Sequence, residues 1–424
     1  MLKENKVLEN LLRFGRKVIP RPIFNFFQPF YHFLLGFLAV ILFGFPSKRL
    51  KVIGVTGTKG KSTVVYLISK ILEGAGHKTA LISSIEFKIG NKTWLNPLKM
   101  TMPGRFKIQK FIREAINQDC KYMILEVTSE GIKQHRHKFI DFDGVVFTNL
   151  EKEHIEVHKG FENYKKAKGK LFKSLRKSKK KDKFVVINSD DKHGEYYAEL
   201  AGSAKQYPYS LKDLDKINLQ ISLIGEFNKY NALAAIKTGE ALGISPEKSL
   251  GILKNVKGLP GRMELVIENP FRVYVDYAHT PDSLIKVYET VKSEIRNPKS
   301  EMICVLGSCG GGRDKWKRPE MGKIAGEYCD KIMLTNEDPY DENPASIIED
   351  IKAGFSKSQI TSNKLQTILD RREAINRALS IAKKDDIVII TGKGSESWIC
   401  IENGKKTPWD DRKVVREEYK KIYD

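Results

Sequence analysis

The stretch GVTGTKGKSTV at residues 54–64 constrains this chain more than any other. An apolar run of strand character, KVIGV, leads into it, and TVVYLISKILEGAG, with apolar residues at helical spacing, follows. A strand passing through a glycine-rich turn into a helix lets backbone N–H groups and a helix N-terminus converge on one anion. The usual spacing is G-x-x-x-x-G-K-[ST]. Here Gly57-Thr58-Lys59-Gly60-Lys61-Ser62-Thr63 is a shortened version, with Gly54 one position off the expected place. Lys61 is placed to reach outer phosphates and Ser62 to ligate magnesium. These residues predict a nucleotide site on an α/β fold.

At 424 residues, 41% hydrophobic and 30% charged, the chain is long enough for two or three domains. A formal charge of +22 fits a phosphate-rich partner, whether nucleotide, nucleic acid or anionic membrane, without choosing among them. Cys120, Cys304, Cys309, Cys329 and Cys400 show no metal-ligand spacing, which predicts a reducing compartment and no disulfide framework. The basic run Arg176–Lys183 reads as a solvated connection or as an anion contact.

Residues 23–45, IFNFFQPFYHFLLGFLAVILFGF, are mostly apolar and aromatic, with Lys48 and Arg49 after them. The uninterrupted apolar part is thirteen residues, Phe33 to Phe45. A membrane-spanning helix needs about 20, and no signal-peptide cleavage site follows. An interfacial anchor, a helix docked on protein and a true span all remain open. The organisation read here is a short apolar segment over 1–49, a first domain over 50–258 and a second over 259–424. Gly258-Leu-Pro-Gly261 reads as a hinge. From Met263 onward VYVDYA, MICVLGS, KIMLTNE and DIVIITG alternate with helical patterns, predicting a second, mostly parallel sheet. The GSCGGGRD loop lacks an acid in a ribose position, which argues against a dinucleotide.

Strands at 121–126 and 144–150 end near Glu126 and His154, which makes these two residues candidate magnesium ligands, although magnesium prefers oxygen donors to imidazole. On pattern alone Lys168 is one lysine among many. No nucleophile–base triad stands out. His279 near Asp276 suggests one only weakly.

The motifs TGTKGKST, EVTSEGIKQHR, FTNLEKEHIEVHKGFENYKKAKGKLF, GEFNKYNALAA, GLPGRMELV, VDYAHTPDSL, GSCGGGRDKWKRPEMGKIA, TNEDPYDENP and TGKGSE follow in order from about residue 50 to 415. Together they resemble the Mur ligase family, most of all the members that add the third amino acid to UDP-N-acetylmuramoyl-dipeptide. The resemblance implies a central P-loop-type ATPase domain followed by a Rossmann-like C-terminal domain. It implies ATP, two Mg2+ sites, and a cytoplasmic enzyme joining a UDP-linked muramoyl peptide to a free amino acid through an acyl phosphate. Lys61 would bind the phosphates, Ser62, Glu126 and His154 the metal, and Lys168 would be carbamylated. Asn228, Arg262, Asp276, Tyr277, His279 and Arg313 would contact nucleotide. Thr101, Thr128, Ser129, Arg136, Glu337, Asp338, Tyr340 and Glu396 would contact the acid or the amine.

Departures from the family pattern modify that expectation. Residues 1–49 stand where the family carries a uridine-binding domain, which predicts reduced UDP recognition or a lipid-linked substrate, with membrane contact through residues 23–45. Glu130 replaces a histidine, and Met102 replaces a hydroxyl residue. Tyr340 replaces the arginine that clamps diaminopimelate's distal carboxylate in DNPR, while Glu337 and Asp338 add negative charge. An acidic pocket would favour lysine or another cationic diamino acid. A monomer is expected. The alternatives are a polyglutamate- or cyanophycin-type ligase and, with no zinc module or RNA-binding aromatic pair in support, a nucleic-acid-binding protein.

Overall fold

The computed structural model describes residues 21–424 except 99, 152–157, 296, 313 and 357–362. The side chains of 21–29 also lie outside the description. The fold is mixed α/β, in two compact units: residues 1–221 with 228–256, and 222–227 with 257–424.

In the first unit the strands are β1 (Lys51–Thr56), β2 (Thr79–Ile82), β3 (Glu86–Ile89), β4 (Lys92–Leu95), β5 (Tyr122–Glu126), β6 (Gly144–Phe147), β7 (Phe184–Asn188) and β8 (Lys205–Tyr209). Their order is β4-β3-β2-β5-β1-β6-β7-β8. The six strands from β2 to β8 are parallel, and β3 and β4 add an antiparallel hairpin at one edge. Central strands β5, β6 and β7 are buried at every position, as expected when helices cover both faces. The outer strand β4 is exposed throughout, and the other edge, β8, contains Pro208. Because β1 lies between β5 and β6, the loop after it opens at a topological switch point, where ligands of such sheets gather.

Helix α1 (Arg21–Leu42) packs on the helix Arg105–Asn117. Helix α2 (Lys61–Gly74) starts directly at the glycine loop and buries Val64, Leu67, Ile68, Ile71 and Leu72 against the sheet. From the basic run, Lys180 reaches inward to Asp143 at 3.2 Å and to the Leu50 carbonyl at 2.9 Å.

In the second unit the strands are β9 (Glu264–Ile267), β10 (Arg272–Val275), β11 (Met302–Leu306), β12 (Lys331–Leu334), β13 (Leu365–Thr367) and β14 (Ile387–Ile390), in the order β13-β12-β11-β14-β10-β9. Among the described residues of this six-stranded sheet only β9 runs antiparallel to its neighbour, and a separate antiparallel hairpin pairs Trp398–Cys400 with Lys406–Pro408. Two apolar cores cover the two faces of this sheet. Ile224 and Phe227 pack on the first of them, so the segment 222–227 joins this unit ahead of the glycines at 258–261. Cys304 and Cys329 form a disulfide, which corrects the expectation of no cross-link. Cys304 lies in β11, and Cys329 stands two residues before the adjacent β12. Strand pairing thus brings together two residues 25 apart, a proximity their sequence spacing does not reveal.

Candidate active-site residues and family

The glycine loop after β1 is laid against the segment after β6. Thr58 N–H donates to the Asn149 carbonyl at 2.8 Å and Lys59 N–H to Asn149 Oδ1 at 2.8 Å. Thr148 Oγ1 donates to the Lys59 carbonyl at 2.7 Å. A Cβ on Gly57 would stand 1.9 Å from Thr148 Oγ1, and one on Gly60 2.3 Å from Asn231 Oδ1, so neither position has room for a side chain. Asn231 Nδ2 in turn donates to Asn228 Oδ1 at 3.1 Å. Asn149 and Asn231 escaped the sequence reading because nothing in their spacing marks them as loop supports.

Four side chains named from sequence meet at this loop. Lys61 Nζ donates to the Thr58 carbonyl at 2.7 Å. Ser62 Oγ donates to Glu126 Oε2 at 2.8 Å, and Glu126, buried at the end of β5, also accepts Ser84 N–H and Ser84 Oγ. Lys168 is 1% exposed, donates to the Gly57 carbonyl at 2.6 Å, and lies 4.5 Å over the Tyr164 ring. Tyr164 hydroxyl is 3.1 Å from Thr58 Oγ1. A hydroxyl beside a carboxylate is a hard-oxygen donor set that suits magnesium completing its shell with phosphate and water. Among the described residues no group of three His, Cys, Asp or Glu forms a metal cluster. His154 and Arg313 lie outside the described residues.

The residues named for the acid substrate cluster beside Glu126. Thr101 Oγ1 is 2.7 Å from Ser84 Oγ, joining the same polar group. Thr128 caps the short helix Ser129–Lys133 by accepting Gly131 N–H, while Ser129 Oγ is 3.1 Å from His158 Nε2. Arg136 donates to the Met102 carbonyl and to Gln134 Oε1. Burial pulls its pKa down, and Glu130 acts in the opposite sense. Met102 itself is buried against Gly131, so at this position packing replaces a polar contact.

In the second unit, Asp276 accepts Met263 and Ala278 N–H, each at 2.7 Å, and His279 Nδ1 lies 2.8 Å from the Tyr277 carbonyl. These contacts give Asp276 a structural role in the turn after β10. The Arg262 guanidinium stacks 4.1 Å from the Tyr277 ring centre, and Tyr277 hydroxyl donates to Glu396 at 3.3 Å.

The carboxylates named for the amine lie among buried charges. Glu337 and Asp338 are each 4% exposed, and fully buried Lys393 lies 3.0 Å from Asp338 Oδ1 and bonds Glu396. Burial opposes the Lys393 charge, but Glu396, Asp338 and Glu337 together raise its pKa. Asp338 and Glu396 are thus engaged by Lys393, the lysine between two glycines that the sequence reading missed. Tyr340, at φ 53°, donates its N–H to the Cys400 carbonyl at 3.1 Å.

Burial pushes Glu337 up to about 7 from its ordinary 4.5, with Lys393 and Arg371 pulling the other way. Its folded form therefore holds a proton that the unfolded chain releases, so its contribution to stability is present below pH 4.5 and is lost as pH rises toward 7. Glu337→Gln is expected to flatten that loss, on the order of 2–3 kcal/mol, in urea titrations across this range. An unchanged slope would mean that Glu337 ionises freely.

The chain as a whole is similar to known proteins. The Mur ligase middle domain matches residues 55–218, and the Mur ligase glutamate ligase domain matches 261–394. The chain is 36% identical over 409 residues to the UDP-N-acetylmuramoyl-L-alanyl-D-glutamate–2,6-diaminopimelate ligase of Bacillus cereus, covering 90% of this chain and 81% of that one. It is 37% identical over 406 residues to the enzyme of the same name from Aquifex aeolicus, covering 90% and 80%. A solved structure of such a ligase aligns with TM-score 0.59 at 29% identity, over 89% of this chain and 79% of that one. The chain therefore belongs to the Mur ligase family, whose members are ATP-dependent enzymes that form amide bonds.

Proposed function

We propose that the chain joins the carboxylate of a UDP-N-acetylmuramoyl dipeptide to the amine of a diamino acid at the expense of ATP, in peptidoglycan precursor synthesis. The observation that carries this reading is the grouping of Lys61, the Ser62–Glu126 pair and buried Lys168 around one glycine loop. We read the first unit as a P-loop-type ATPase domain and the second as a Rossmann-like domain.

A carboxylate resists attack by an amine until its oxygen can leave. Transfer of the γ-phosphoryl group to that oxygen gives an acyl phosphate and ADP. The amine then attacks the carbonyl carbon, the C–O bond to phosphate breaks, and the ammonium formed loses a proton. Lys61 offsets charge on the transferring oxygens. Ser62 and Glu126, with His154, would hold magnesium, whose chemistry when bound is to neutralise the phosphates. Lys168 Nζ, once it has given up its ammonium proton, would add to carbon dioxide and lose a second proton, so that a cation becomes an anionic carbamate oxygen donor. Its burial against the loop supports that assignment. Thr101, Thr128, Ser129 and Arg136 would hold the acid substrate. Asn228, Arg262, Asp276, Tyr277, His279 and Arg313 would serve the nucleotide, and Glu337, Asp338, Tyr340 and Glu396 the amine. The reading places the enzyme in the cytoplasm, with residues 23–45 against the inner face of the membrane.

For the amine, position 340 is the deciding residue. A tyrosine there offers no bidentate partner to a distal carboxylate, which favours lysine over diaminopimelate. Lys393 already neutralises Asp338, so the acidic residues nearby add less to that preference than Tyr340 does. Phosphate release with UDP-muramoyl-L-alanyl-D-glutamate and lysine, ornithine or meso-diaminopimelate, with product masses, tests the proposal. Turnover with lysine is expected. Turnover with diaminopimelate alone would overturn the reading of Tyr340, and silence with all three would overturn the acid substrate.

A further inference from the structure

Helix α1 turns an apolar face to solvent. Its inward residues Gly36, Ala39 and Val40 are buried, and a Cβ on Gly36 would stand 3.1 Å from the Phe139 ring. On the other side Phe30, Leu34, Phe37, Leu38, Ile41 and Leu42 are 42–68% exposed, at the spacing that lines one helix face. A helix lying on a water-soluble protein shows polar residues there. Single exposed apolar side chains are ordinary, but a contiguous row of large ones marks a contact surface.

The rim of this row is cationic. Lys48 and Arg49 are exposed just past the helix, with Lys48 Nζ 4.5 Å from the Phe45 ring centre. Lys138 Nζ lies 5.1 Å from the Phe33 ring centre. The sequence carries no acidic side chain between Glu9 and Glu73. Close beside the helix, Arg105 is drawn down to about 10 by burial and then by the like charge of Arg136. Apolar and aromatic side chains ringed by lysine and arginine match an anionic lipid interface. Among the described residues no helix is long and apolar enough to cross a membrane, so the geometry is that of lying on one. Pairing with a second copy through the same face would bring two cationic rims together, which disfavours self-association.

We propose that the outward face of α1 seats the chain on an anionic membrane surface, with Leu34, Phe37, Leu38 and Ile41 in the interface and Lys48, Arg49 and Lys138 on the headgroups. This deepens the membrane part of the functional reading. It also brings Arg136, assigned there to the acid substrate, close to the lipid surface.

Flotation of the full chain with phosphatidylcholine vesicles, with and without about 30% phosphatidylglycerol, tests this. Binding to the anionic vesicles is expected, weakened at least about tenfold by Leu38→Glu/Ile41→Glu and by Lys48→Glu/Arg49→Glu. Raising salt to about 0.5 M should also weaken it. All these positions are outside the catalytic groups, so phosphate release without vesicles should persist in both variants. Equal flotation of wild type and the Leu38→Glu/Ile41→Glu variant would overturn the proposal, as would no flotation of the wild type. So would a wild-type dimer in light scattering that this variant dissociates while neither floats. Turnover without flotation would remove the lipid contact and leave the ligase reading, and flotation without turnover would do the reverse.

Discussion

Lys61→Met is expected to lower ATP-dependent phosphate release about a thousandfold, or roughly 4 kcal/mol of transition-state stabilisation. The ammonium sits at the start of α2, 2.7 Å from the Thr58 carbonyl, inside the turn that the loop makes. Charge develops on the transferring phosphoryl oxygens in a partly dry site, and a cation held there needs little reorganisation to meet it. Methionine keeps most of the stem's bulk, so the melting temperature should move by no more than a few degrees. Steady-state phosphate release at saturating ATP reads the first quantity and thermal unfolding the second. A loss below about tenfold would mean that backbone N–H groups of the loop carry the phosphate without the lysine.

Asp411→Ala is expected to destabilise the second unit by about 3–5 kcal/mol, because it strands a buried guanidinium. Arg371 is 2% exposed and Asp411 fully buried. They meet through two hydrogen bonds, Nε to Oδ1 at 2.8 Å and Nη2 to Oδ2 at 2.7 Å. Trp409 Nε1 also donates to Asp411 at 2.8 Å. The same guanidinium holds the Thr391 carbonyl at 2.9 Å and that of Asn336 at 3.3 Å. Those two carbonyls begin the loops that carry Lys393–Glu396 and Glu337–Tyr340, so the damage should reach amino-acid binding as well as stability. Urea unfolding measures the first and the KM for the diamino acid the second. Arg371→Met/Asp411→Leu removes both charges and should recover most of the stability, since apolar replacement of a whole buried pair is often tolerated. A single variant that costs less than about 1 kcal/mol would show that solvent reaches the arginine.

The parts of the fold that local pattern specifies were legible. KVIGV is β1 and MICVL is β11. The glycine loop was legible for the same reason, since its residues are consecutive. What sequence did not disclose depends on contacts across the fold. Asn149 supports the loop from 90 residues away, and Lys393 ties Asp338 to Glu396 in an internal ion network. The Cys304–Cys329 bond likewise requires knowing that β11 and β12 are neighbours. Resemblance supplied what bare residue type could not for Lys168, whose burial appears only in three dimensions.

The two edges of the first sheet have a consequence for how the protein behaves when concentrated. A strand edge is a template on which another chain can continue the ladder. At one edge Pro208 cannot donate to an added strand, and Lys205 beside it is exposed. At the other, β4 is four residues long and starts with exposed Lys92. Short, charged or proline-bearing borders resist fibrous growth, so loss of solubility on storage should begin elsewhere. The greasy helix at the front of the chain is the surface to shield, and mild detergent should keep the preparation clear where added salt would not.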